Sequence, residues 1–146
     1  MSSRIATGVI GLLAWVCAAM ASAATVVKVS LQDPSTGPGV TAMHIALDRD
    51  SVPAGRVTFR ATNESKDQVH ELIVVRTDSA QASLPYDERK AAVVEKRIHH
   101  LGEVGDLKPG RSASLTLSLR PGSYLLICNQ PGHYKAGMST PFTVTK

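Results

Sequence analysis

From residue 25 onward the chain alternates apolar and polar positions in short bursts, cut at intervals by Pro and Gly. Ser112 to Leu119 is the cleanest case: Leu115, Leu117 and Leu119 fall on one face, with Ser and Thr on the other. A period of two marks a strand with one buried face. The same reading predicts strands at Thr25–Leu31, Thr41–Leu47, Arg56–Thr62, Val69–Val75, Tyr124–Cys128 and Thr140–Thr145. Glu103–Leu107 reads as a short strand or a loop. Asp33–Gly39, Pro53–Gly55, Asn63–Gln68, Lys108–Gly110 and Arg120–Gly122 are loops or turns by composition. Seven or eight short strands with Pro/Gly turns between them predict an all-β, antiparallel β-sandwich. Within Val69–Val75, period two puts His70 on the face of Leu72 and Val74. If that face looks inward, His70 sits at one end of the core. It is then either a ligand or a core histidine satisfied by a backbone carbonyl.

Asp78 to Leu101 breaks the rhythm. After Leu84-Pro85-Tyr86, the segment Asp87–Ile98 spaces Ala91, Val94 and Ile98 three and four apart, with acidic residues first and basic residues late. That pattern predicts a short amphipathic helix. The insertion around 84–98 is therefore expected to be helical and to cover one flank of the sandwich. His99-His100 reads as a solvated loop, and His44 as a solvated strand histidine.

Residues 1–24 read differently. Arg4 precedes an apolar run from Val9 to Met20, and Ala21-Ser22-Ala23 is a small-residue cleavage site. This is the layout of a secretory signal, which predicts export, as to a bacterial periplasm, of a single domain spanning 25–146. An uncleaved leader would instead anchor the domain to a membrane. Apolar residues at 43% and charged residues at 19% suit one globular domain. The formal charge of +4 becomes +3 without Arg4, too small and dispersed for a nucleic-acid partner. Of the two cysteines, Cys17 lies in the leader. Cys128 would then stand alone in an oxidising compartment, where metal ligation would protect an unpaired thiol. Asn63-Glu64-Ser65 is formally a glycosylation sequon, discounted here because the leader looks bacterial.

The chemistry concentrates in Tyr124–Met138. Cys128, His133 and Met138 follow one another with four residues in each gap, and Pro131-Gly132 and Gly137 argue against a helix between them. A tight loop can turn all three side chains to one point. A thiolate, an imidazole and a thioether suit copper cycling between Cu(I) and Cu(II), and a second imidazole would complete a trigonal His₂Cys site with axial Met. Each residue alone reads more simply: a cysteine at a strand end is usually a small buried hydrophobe, and a methionine usually core. The spacing favours copper.

This loop resembles that of the cupredoxins, the single-domain blue copper proteins, and its spacing is most similar to the rusticyanin, sulfocyanin and auracyanin branches. The resemblance extends back through Val57, Phe59 and Asn63, which stand as in the family strand that precedes the first ligand histidine. It implies a Greek-key topology and assigns His70 as that ligand, giving the set His70, Cys128, His133 and Met138. Several family members carry Asn or Ser after the first histidine, tying the two ligand loops together. This chain has Glu71 there, which leaves that tie open, and Asn129 is a candidate substitute.

A four-donor set leaves no position for substrate, which favours electron transfer over Lewis-acid catalysis. The expected function is an exported, monomeric blue copper protein passing single electrons between redox partners that dock near His133, on a mixed patch with Pro131, Tyr134 and Ala136. The alternative is a copper carrier, buffer or resistance factor using the same ligands. Carriers often show Met- or His-rich tracts, and beyond the leader this chain has only Met43 besides Met138, and only the His99-His100 pair. An enzyme is not expected: the chain lacks His-x-His pairs, a second loop cysteine, a CxxC pair and a Gly-rich phosphate loop.

Overall fold

The computed structural model describes residues 23–79 and 81–146. All of the expected leader except its last two residues lies outside the described residues. Two sheets pack face to face. The first has four strands in the order β2-β1-β4-β9, formed by β1 (Thr25–Gln32), β2 (His44–Leu47), β4 (Gly55–Asn63) and β9 (Ser112–Leu119). The second has five in the order β3-β11-β10-β5-β8, formed by β3 (Ser51–Pro53), β5 (His70–Thr77), β8 (His99–Leu107), β10 (Gly122–Ile127) and β11 (Ser139–Thr145).

The sandwich and its strands stand as the alternation predicts, but the sheets are mixed. β1 runs parallel to β4, and β3 parallel to β11. Alternation fixes which face a residue takes. It carries no information on the direction of a neighbour, so the two parallel pairs among the otherwise antiparallel strands are not visible in it.

Inward-facing residues of both sheets make the main core: Val27, Val29 and Leu31 from β1, Val57, Phe59 and Ala61 from β4, Leu72 and Val74 from β5, and Leu126 from β10. Phe59 meets Phe142 edge to face at 5.2 Å, a geometry worth about 1 kcal/mol beyond area burial. Most outward residues of the four-stranded sheet are polar, and some pair across strands, as in the 2.8 Å contacts Thr58–Thr116 and Thr62–Ser112.

The segment 84–98 is not helical. It forms a two-stranded ribbon, β6 (Tyr86–Asp87) with β7 (Ala92–Val93), followed by one 3₁₀ turn at Glu95–Arg97. The Asp87 carboxylate accepts the backbone N–H groups of Arg89 and Lys90, which closes a turn. Ala91 then takes a left-handed φ of 51°, which no helix continues through. The apolar spacing is real but serves another purpose. Leu84 and Val93 cover the outer face of the five-stranded sheet, against Ile73, Val75, Leu125 and Ile127. The insertion thus covers a flank as expected, with β-branched Val93 as its anchor. His99-His100, read as a solvated loop, instead begins β8, paired with Arg76 and Val75.

Candidate metal centre

Asn63 ends β4 and governs the path into the site. Its Nδ2 donates to the carbonyls of Gln68 at 2.8 Å and Leu107 at 2.7 Å, and its Oδ1 accepts the Ser65 N–H at 2.9 Å. These bonds fold the loop 64–69 so that the chain re-enters as β5 with His70 at its first position. The amide is fully buried and committed, which removes the sequon as a glycan acceptor.

β5 and β8 change register between His70 and Leu72, where β8 contributes one extra residue and Asp106 has a φ of 44°. Beside that bulge, the Glu71 N–H points to Cys128 Sγ at 3.4 Å. Cys128 follows β10 directly. Its N–H donates to the Met138 carbonyl at 3.0 Å, and Met138 N–H donates to the His133 carbonyl at 3.0 Å. The loop between is wound by turns and closed at its base. Gly132 (φ 86°) and Gly137 (φ 98°) take up left-handed conformations that a side chain would strain. The insertion also grips this loop, since the Gly132 N–H donates to the Ala91 carbonyl at 2.7 Å.

The result is convergence. His70 Nδ1 lies 3.2 Å from His133 Nδ1, and Cys128 Sγ lies 3.4 Å from His133 Nδ1 and 3.9 Å from His70 Nδ1. His70, Cys128 and Met138 are fully buried, and His133 is partly exposed. All four residues singled out from the sequence therefore lie at one end of the sandwich, with three donor atoms facing one point. Burial pushes the Cys128 thiol up to about 11, so it holds its proton at neutral pH until a metal displaces it. Burial pushes both imidazoles below their ordinary value, His133 further through the neighbouring His70, so their ring nitrogens offer lone pairs. A soft sulfur between two neutral imidazoles, with a buried methionine closing the loop, fits a copper ion.

Of three supporting groups, only Asn129 was singled out in the sequence. Asp33, read as part of a loop, is fully buried with Oδ2 3.0 Å from His70 Nε2. Glu71, at the position where the tie was open, joins the two ligand segments: its Oε1 accepts the Asn129 N–H at 2.9 Å. Burial raises its carboxyl to about 7. Asn129 does supply a tie, but to the insertion. Its Oδ1 accepts the Val93 N–H at 2.6 Å, and its Nδ2 donates to the Val93 carbonyl at 3.1 Å and to Glu95 Oε1 at 2.9 Å. An amide beside the motif cysteine was the one available signal. A second group of donors, Glu95, His100 and Glu103, is drawn together on the surface nearby.

No protein-family model matches the chain, and no curated protein sequence matches it. Solved structures share its fold. Auracyanin from the photosynthetic bacterium Roseiflexus castenholzii superposes with a TM-score of 0.58 at 22% identity, over 85% of this chain and 98% of that one. Rusticyanin from Thiobacillus ferrooxidans gives 0.63 at 18% identity, over 82% and 76%. Auracyanin A from Chloroflexus aurantiacus, described as a blue copper protein, gives 0.58 at 21% identity, over 84% and 100%. The chain has the cupredoxin fold.

Proposed function

We propose that this protein is a blue copper electron carrier, in which His70, Cys128, His133 and Met138 would together hold one copper ion. The observation that carries this reading is the convergence of one thiol and two imidazole Nδ1 atoms within 3.9 Å of one another at the buried end of the sandwich. Copper supplies a one-electron exchange between Cu(II) and Cu(I). The chain supplies the rest. β5 and β10 are neighbours in one sheet, and their ladder, which ends at Ile127 and Ile73, holds the segments that carry Cys128 and His70 side by side, while His70 itself pairs with Leu107 of β8. The Cys128–Met138 backbone bond fixes where the loop returns. Such a rigid frame keeps the donors in place when the charge changes, which lowers the reorganisation that electron transfer requires. The Glu71 N–H bonded to the sulfur draws off part of its charge.

His133 is the least buried of the four residues and sits beside exposed Pro131 and Ala136. A redox partner docking there would approach through the imidazole edge, over a small and transient contact. The leader-like start supports a site of action outside the cytoplasm, where metal ligation would protect the unpaired Cys128.

Visible absorption during Cu(II) addition tests the reading, followed by ascorbate and reoxidation. The expected result is an intense red-region thiolate-to-Cu(II) band that bleaches and returns, and that is lost in Cys128→Ser. Copper bound without the band rules out the thiolate site. Copper that is released on reduction makes the protein a copper carrier or buffer with the same ligands.

A further inference from the structure

Asp33 immediately follows β1 and, among the described residues, carries the one buried carboxylate that faces the site's first imidazole. Both Asp33 and His70 have no exposed surface, and Oδ2 stands 3.0 Å from Nε2. The other oxygen, Oδ1, accepts the Ser35 N–H at 2.7 Å and the Ser35 hydroxyl at 2.6 Å. Ser35 Oγ is in turn 3.0 Å from Ser65 Oγ and accepts the Lys66 N–H at 2.9 Å. Ser65 N–H bonds to Asn63 Oδ1, the residue that shapes the loop before His70. A continuous polar chain thus runs from the end of β4 to the far side of the imidazole. Among the described residues, the only side-chain ion-pair partner of Asp33 is His70.

A carboxylate in that place has two consequences. It accepts the Nε2 proton, so the tautomer with a bare Nδ1 is favoured, and Nδ1 is the atom that faces Cys128 and His133. It also adds a second buried negative charge. The Cys128 thiolate and the Asp33 carboxylate together match the charge of Cu(II). They exceed that of Cu(I) by one. In a water-poor interior such an imbalance is felt strongly.

We propose, building on the copper reading above, that Asp33 is a positioning residue that locks the His70 tautomer and biases the centre toward its oxidised form. The carboxylate lowers the reduction potential below what the four ligands alone would set.

The test uses the copper-loaded full chain and its Asp33→Asn variant. Asparagine keeps the shape and an oxygen acceptor but removes the charge. Redox titration of the red band is expected to place the variant at higher potential, with the preference for Cu(II) over Cu(I) reduced about tenfold, or roughly 59 mV for one electron. The band itself should persist. Ser35→Ala keeps the charge while removing one of its hydrogen bonds, and should lose stability without a rise in potential. An Asp33→Asn potential equal to that of the parent, with the band intact, overturns the proposal and leaves Asp33 a structural strut. A loss of stability alone would have that meaning. The metal-free full chain gives a check that needs no variant: nitrogen NMR should find the His70 proton on Nε2, beside Asp33, and a proton on Nδ1 overturns the proposal. Absence of the red band from the parent protein would instead defeat the copper reading itself.

Discussion

Replacing Asn129 by Ala removes three hydrogen bonds that bind the insertion to the residue next to Cys128: those to Val93 N–H, to the Val93 carbonyl and to Glu95. Asn129 and Val93 are both buried, at 8% and 4% exposure, so their polar groups have little water to fall back on. A hydrogen bond of this kind contributes about 1 kcal/mol net, and a buried group left unpaired costs about 1–3 kcal/mol. A shallow open cavity lined by Asp87, Val93, Glu95 and Asn129 borders the pair, so water can replace part of what is lost. Asn129→Ala should therefore destabilise the metal-free protein by about 2–3 kcal/mol in urea unfolding. Asn129→Asp is the sharper case. It keeps the acceptor for Val93 N–H but turns a carboxylate toward the Val93 carbonyl and Glu95, and should cost at least as much as Ala. It should also detach the 84–98 ribbon locally, seen as early proteolytic cleavage there. An Asn129→Ala variant within about 0.5 kcal/mol of the parent, or an Asp variant more stable than the Ala variant, would refute the reasoning, because the ribbon would then be held by Leu84 and Val93 burial alone.

Two further outcomes follow from single residues. The Glu71 carboxyl is raised by burial to about 7, so its contribution to stability is complete below about 4.5 and is lost as pH climbs through 7. The full shift corresponds to about 3.4 kcal/mol, and water screening of the partly exposed side chain leaves roughly 1–2 kcal/mol. Glu71→Gln, which keeps the acceptor for Asn129 N–H, should thus stabilise the metal-free protein by that amount more at pH 8.5 than at pH 5. An equal effect at both pH values would contradict the buried-acid account. Ala91 holds a φ of 51°. A left-handed conformation costs an L-residue about 1–2 kcal/mol, and glycine gives back roughly 0.5–1 kcal/mol in chain entropy, so Ala91→Gly should raise stability by about 0.5 kcal/mol in urea unfolding. A loss of stability there would mean that the methyl group is needed for packing.

How much of this was legible depended on how local the cause was. Ser112–Leu119 declared itself because a half-buried strand writes its own period of two into the sequence. His70, Cys128 and His133 were legible because strand periodicity, a Pro-Gly loop and a family spacing all act over a few residues. The insertion was misread because its fold is decided elsewhere. Asp87–Ile98 has helical spacing, but the amide that pairs with Val93 belongs to Asn129, 36 residues further on. Asp33 was hidden for the same reason. Nothing in Asp33-Pro34 distinguishes a solvated turn from a buried carboxylate until His70, 37 residues away, arrives beside it. The parallel pairing of β1 with β4 is likewise a matter of topology, which no periodicity records.

The order of the five-stranded sheet bears on how the chain comes to be folded. β10 lies at its centre, between β11 and β5, yet β3, β5 and β8 all precede it in the sequence. A chain synthesised from its N-terminus therefore carries three of those strands, and the first imidazole, before residues 122–127 exist to align them. During that interval Ile73 and Val75 lack Leu125 and Ile127, their later packing partners, and exposed apolar surface of that kind invites self-association. Closure waits on contacts between distant parts of the chain, so folding should be slow for a domain of this size, with the centre assembled in its last step. Metal uptake would then report completion of the fold rather than initiate it.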